Sequence, residues 1–166
     1  DTAQAEQSWM EVADMYREQG QDAKYWETIK AFVAKFPDGE LSLQAQQKLW
    51  DRNLQLLFSK APIPSSIVYE VQPGDTLYKI AQQQGTTVDL IMRSNGLEGS
   101  LIRPGMKLKI IKSVFTIDVD KTAKILTLKA DGTIVKIYPI GIGRDNSTPV
   151  GEFKITNRIV NPVWYK

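Results

Sequence analysis

The segment 68-VYEVQPGDTLYKIAQQQGTTVDLIMRSNGLEGSLIRPGMKLKII-111 decides how this chain is organised. Val68, Tyr69, Glu70 and Val71 read as a strand that runs into a Pro73-Gly74 turn. Asp75 stands where a side-chain oxygen can cap a following helix, and Leu77, Ile80 and Ala81 give that helix one apolar face. Gly85 stops it. Thr87 is placed to cap a second helix, with Val88, Ile91 and Met92 inward, and Asn95-Gly96 ends it in the left-handed conformation that glycine favours. A loop through Leu101, Ile102 and Arg103 reaches the turn pair Pro104-Gly105, and a strand over 106–111 closes the unit. The order strand, helix, helix, strand predicts two antiparallel strands with both helices on one face.

Before this unit lies "SKAPIPSSI", residues 59–67. Pro62 and Pro64 forbid a helix and favour extended chain, so residues 60–67 are read as a linker. Residues 1–59 are read as three helices. Trp9, Val12, Ala13 and Tyr16 fall at helical spacing, then Trp26, Ile29, Phe32, Val33 and Phe36. Gly20 and Pro37-Asp38-Gly39 punctuate the runs, and a third helix over 41–58 carries Leu43, Leu49, Trp50, Leu54 and Leu57. Short turns make the helices antiparallel neighbours. Aromatic residues at such spacing serve first as core.

After the central unit, residues 113–166 are dense in β-branched residues that alternate. Strands are predicted at about 114–119, 123–129 and 133–140, with turns at 118–122 and 130–133. Asp131-Gly132 between alternating runs is a hairpin signal. A fourth strand over 151–158 should follow "STPVG". The fold class expected is multidomain α+β: a helical module at 1–59, the linker, a βααβ domain at 68–112 and a β-rich part at 113–166.

Charge follows the same division. Residues 1–60 hold 7 basic and 10 acidic side chains, residues 61–112 hold 6 and 4, and residues 113–166 hold 8 and 5. The net charge of +2 is too small a basic excess to mark a nucleic-acid binder. No apolar run is long enough to span a bilayer, and no basic-then-apolar leader stands at Asp1. The chain has no Cys and no His, which removes disulfides, thiolate nucleophiles and the commonest metal ligand; no cofactor and no metal site are expected.

Three resemblances follow. Through Tyr69, Val71, Gly74, Asp75, Thr76, Leu77, Ile80, Ala81, Leu90, Asn95, Ile102, Pro104, Gly105 and Leu108, the central unit resembles a lysin motif (LysM) domain. Trp9, Val12, Ala13, Tyr16 and Pro37 resemble one tetratricopeptide repeat, with Tyr25 and Phe32 where the pattern wants small residues. Ile117-Asp118-Val119, the hairpin "KADGTIVKIYPIGIG", the corner Thr148-Pro149-Val150-Gly151-Glu152-Phe153 and Asn161-Pro162-Val163-Trp164 resemble the N-terminal part of an L,D-transpeptidase catalytic domain.

The lysin-motif resemblance implies binding of N-acetylglucosamine-containing glycan such as peptidoglycan. The groove would lie between Gly74, Asp75, Thr76 and Leu77 on one loop and Leu101, Ile102, Arg103 and Pro104 on the other. Gly74 lets a sugar's acetamido group approach the backbone, and Leu77 and Ile102 would wall its methyl group. Asp75 is expected to act as a helix cap more than as a ligand contact. A shallow site of this kind binds weakly, because few polar groups converge and little area is buried.

The transpeptidase resemblance implies cross-linking of peptidoglycan stem peptides by a Cys nucleophile and a His base that these residues lack, so the chain is expected to be a truncated, inactive portion with no catalytic residue of its own. Ser147 and Thr148 have no base to activate them, and Lys154 belongs to a solvated strand face. Asp118 and Asp120 flank a turn and make no acid–base pair. The alternative reading is a non-catalytic binding or scaffold protein of the cell envelope. Either implies an exported protein of the bacterial periplasm or cell wall. Its partners would be glycan strands, with a protein partner possible through the helices. A β part that ends after four strands would expose Val160, Val163, Trp164 and Tyr165, inviting disorder or cover by a second copy or a C-terminal piece.

Overall fold

The computed structural model describes residues 2–144, 147–156 and 159. Three helices come first: α1 (Thr2–Glu18), α2 (Asp22–Lys35) and α3 (Ser42–Leu57). Met10, Ala13, Tyr25, Ile29, Phe32 and Ala45 form their buried core, with Trp9, Tyr16, Trp26, Val33, Phe36, Leu41 and Leu49 packed around it. Val12 and Leu43, expected inside, are exposed at 44% and 58%. On α3 the inward positions go instead to Ser42 and Ala45, whose small side chains leave room for the rings of α2. On α1, Met10 turns inward in place of Val12.

The α2–α3 connection is held by a buried acid. Glu6 of α1 is 3% exposed, and its Oε2 accepts the backbone N–H of Leu41 at 3.0 Å. Gly39 lies so close that a Cβ there would sit 2.4 Å from Glu6 Oε1. A side chain at this position would have to displace the Glu6 carboxylate, so the constraint there is space, not backbone conformation.

The central unit runs β1 (Ser66–Glu70), α4 (Leu77–Gln84), α5 (Val88–Asn95) and β2 (Lys107–Ile111). β1 and β2 pair antiparallel with Val68 opposite Lys109. The first strand starts earlier than expected and takes Ser66 and Ile67 from the linker. Val71, Leu77, Ile80, Ala81, Ile91, Leu108 and Ile110 make the core beneath α4 and α5. The cap of α4 is Thr76, whose Oγ1 accepts from Lys79 N, and not Asp75. Asp75 is drawn back into its own turn by bonds from Gln72 N and Tyr69 Oη. Thr87 caps α5 as expected, and Gly85 and Gly96 end the two helices in left-handed conformation.

β3 (Phe115–Asp120), β4 (Ile125–Ala130) and β5 (Thr133–Pro139) form a three-stranded antiparallel sheet with β4 in the middle. Asp131 and Gly132 both take positive φ, 49° and 79°, as a tight two-residue hairpin requires. The first turn falls later than predicted, at 121–124, because Asp118 continues the strand and Asp120 Oδ1 takes the N–H groups of Thr122 and Ala123. The strand expected over 151–158 is not formed at 151–156. Asn157, Arg158 and the predicted exposed residues Val160, Val163, Trp164 and Tyr165 lie outside the described residues. Among the described residues no helix is long and apolar enough to cross a membrane.

α3 joins the parts. It packs on α2 and on β5. Lys136 of β5 forms an ion pair with Asp51, and Asn53 Nδ2 donates to the Ile134 carbonyl at 3.4 Å. At its C-terminal end, one to two turns further on, Lys109 Nζ of β2 donates to the carbonyls of Leu56 (2.6 Å), Ser59 (3.0 Å) and Leu57 (3.5 Å). These carbonyls are the last of the helix and its exit, which lack intrahelical donors, and the helix dipole favours a cation there.

Candidate functional site

Two loops meet at one end of the β1–β2 pair. Beyond the last strand residues the ladder continues: Val71 N donates to Met106 O at 2.9 Å, and Gly105 N donates to Val71 O at 2.8 Å. This fixes residues 72–76, which leave β1, beside residues 101–104, which enter β2. The sequence-predicted site residues are thereby brought together as a region.

The first loop is a locked turn. Asp75 N donates to Gln72 O at 3.1 Å, while Asp75 Oδ2 accepts Gln72 N and Tyr69 Oη, each at 2.8 Å. The bond from Tyr69 to this carboxylate, aided by partial burial and the nearby negative charge, raises the phenol's pKa above its usual 10.0. Gly74 takes φ +84°, which side chains other than glycine's resist. Its carbonyl accepts from Lys79 Nζ at 3.0 Å, so that acceptor is already engaged. Thr76 is exposed and bonded to the start of α4.

The expected apolar wall changes in composition. Leu77 is 2% exposed and belongs to the core, so its side chain does not line an open surface. Ile102 is half-buried against the same core. Leu101 is 78% exposed and supplies the open apolar surface of the second loop. Arg103 and Pro104 are exposed, and the Arg103 carbonyl accepts Met106 N at 3.1 Å. The N–H groups of Ile102 and Arg103 make no hydrogen bond within the chain among the described residues.

Sequence reasoning missed Asn95 as the clasp behind this site. Its buried amide donates to Lys109 O at 2.8 Å and accepts Lys109 N at 2.7 Å, fastening α5 to β2 as a strand would be fastened. Read in sequence, Asn-Gly marks only a helix end. The carboxylates Asp118 and Asp120 are not a pair: Asp118 bridges Lys129 at 2.5 Å and Asp120 holds its turn. The described residues contain no group of three metal-binding side chains.

Residues 69–110 match the LysM domain family, and residues 115–166 match the L,D-transpeptidase catalytic domain family. The helical module lies outside both matches. A putative L,D-transpeptidase YkuD of Bacillus licheniformis is 35% identical over 105 residues, covering 58% of this chain and 63% of the relative. A probable endopeptidase p60 of Listeria monocytogenes is 42% identical over 90 residues, which are 54% of this chain and 17% of that protein. An N-acetylmuramoyl-L-alanine amidase sle1 of Staphylococcus epidermidis is 52% identical over 46 residues, 28% of this chain and 14% of the relative. The chain thus spans less than two thirds of the length of these relatives. It holds a LysM domain followed directly by L,D-transpeptidase catalytic-domain sequence.

Proposed function

We propose that this chain binds the glycan of peptidoglycan through the two loops of its LysM domain, as the wall-holding portion of a cell-envelope L,D-transpeptidase. The observation that carries the reading is the juxtaposition of residues 72–76 and 101–104 by the bonds between Val71 and Gly105–Met106. An acetamido group placed there would meet the free N–H groups of Ile102 and Arg103, a Gly74 without side chain, and apolar surface from Leu101 and Ile102. These groups match an N-acetyl sugar: a carbonyl to receive, a methyl to cover, and no charge to neutralise. Few contacts converge, so one domain should bind weakly and gain from repeated units along a strand.

The cross-linking chemistry belongs to this reading only at the level of the whole enzyme. Acyl transfer between stem peptides needs an activated nucleophile and a base. These 166 residues hold neither Cys nor His, so their share is binding and framework. Names of the relatives place them among cell-wall enzymes, which supports the cell wall or envelope as the site of action.

Calorimetric titration of the chain with chitin oligomers tests the binding. A saturable, weak isotherm is expected, and one reduced by Leu101→Asp. Heat that stays flat at millimolar ligand overturns the assignment. Purified chain is further expected to sediment with insoluble peptidoglycan and to show no acyl transfer between stem peptides.

A further inference from the structure

The helical module, which neither family match covers, has its own attachment points turned toward the rest of the chain. β2 is buried on both faces. Leu108 and Ile110 face α4 and α5, whereas Lys109 and Ile111 face the other way and are 5% and 1% exposed. Leu57, at the end of α3, is likewise buried outside the helical core. The lysine ammonium among them spends its three donors on the exit of α3. One to two turns earlier on the same helix, Asp51 and Asn53 hold Lys136 and the Ile134 carbonyl of β5. A surface lysine on a short alternating strand would ordinarily stay in water. Here its burial is matched by the carbonyls of Leu56 and Leu57 at the helix end and of Ser59 just beyond it.

We propose that α3 is an internal strut whose partner is this chain itself: pinned to the LysM domain by Lys109 and to the transpeptidase sheet by Asp51 and Asn53, it holds the glycan loops at a fixed offset from the sheet. The function assigned to residues 2–57 is therefore positioning, not recruitment of a second protein. The glycan part of this statement rests on the reading above. Its physical content is that anchoring and catalytic parts move as one body, so a bound glycan strand sets where stem peptides are presented.

The test is nitrogen-15 relaxation on the full 166-residue chain, without glycan. Residues in 2–57, 69–110 and 115–139 are expected to share one rotational correlation time. In Lys109→Met, residues 69–110 are expected to show a shorter correlation time than residues 2–57, with the amide pattern of the LysM core retained. In Asp51→Lys, residues 115–139 should loosen, and the charge-swapped Asp51→Lys/Lys136→Asp chain should restore them. Independent tumbling in the unaltered chain overturns the strut, as does rigid tumbling of both single variants. Chitin-oligomer titration of Lys109→Met separates the two readings. Unchanged affinity is expected, since Lys109 sits mid-strand opposite Val68 and its ammonium bonds to the exit of α3, not to residues 72–76 or 101–104. Absence of binding in the unaltered chain would overturn the glycan reading and leave the tumbling result to judge the strut.

Discussion

Glu6, Tyr69 and Lys109 show what single side chains contribute when their partners are backbone groups or a fixed neighbour. Glu6 stabilises the start of α3 through one amide, and Gly39 makes room for it. Gly39→Ala is expected to displace the carboxylate and destabilise the chain by about 1–2 kcal/mol, the cost of a lost charged hydrogen bond, read from urea unfolding. Tyr69 has a raised pKa in the fold, so its contribution is fully present below the ordinary phenol value and is lost as pH rises through the folded value. Tyr69 should ionise above the ordinary phenol value in a titration followed by a site-specific probe of its ring, and Asp75→Ala should bring its pKa down. Lys109 is shifted the other way, lowered from 10.5 by burial. Between the two values the unfolded chain binds more protons than the folded one, so stability gains as pH rises through that window. The unfolding free energy of the unaltered chain, compared with Lys109→Met, should therefore increase as pH rises toward the ordinary lysine value.

At the scale of elements, the two short helices depend on their ends. Each has eight residues, too few to persist alone, and each begins with a threonine that accepts the third N–H. Thr76→Ala or Thr87→Ala should cost about 1 kcal/mol each in denaturant unfolding. Asn95→Ala should cost more, about 2–4 kcal/mol, because it leaves both the N–H and the C=O of buried Lys109 without their partner. Most of these elements were legible in the sequence. Turn pairs such as Pro104-Gly105 and Asp131-Gly132, and the periodicity of Leu77, Ile80 and Ala81, state their own conformation locally. Asp75 was misread because an acid before a helix is a common cap, and only the folded turn reveals that Tyr69 and Gln72 claim its carboxylate first. Leu77 was offered as ligand wall for a related reason: periodicity gives the face of a residue, not its depth. What no pattern announces is a bond across 53 positions from Lys109 to Leu56. A lysine in alternation with apolar neighbours reads as solvent-facing until a helix end is folded over it.

For the molecule as a whole, the chain is less a string of beads than the division of its sequence suggests. The three charge regimes and the Pro/Ser stretch divide the sequence into separate parts, yet the acidic helical part meets the basic sheet through Asp51 and Lys136. That attraction is between side chains of unequal exposure and should weaken with salt, so the docking of the sheet on α3 is expected to loosen at high ionic strength before the pinning by Lys109 does. Relaxation data collected across a salt series would read the order of the two releases. Residues 60–65 run between anchored ends, with Lys112 N bonded to Ser65 O and Ser113 Oγ to Ser65 Oγ. A pull on a sugar strand gripped by the loops would travel along β2 and pass through residues 112–114 into β3, with the Lys109 ammonium bracing β2 sideways against α3. Under the tension of a stretched wall the chain would act as a stiff link in series with the polymer, its bend at residues 112–114 braced by three carbonyl bonds and not left as a slack tether.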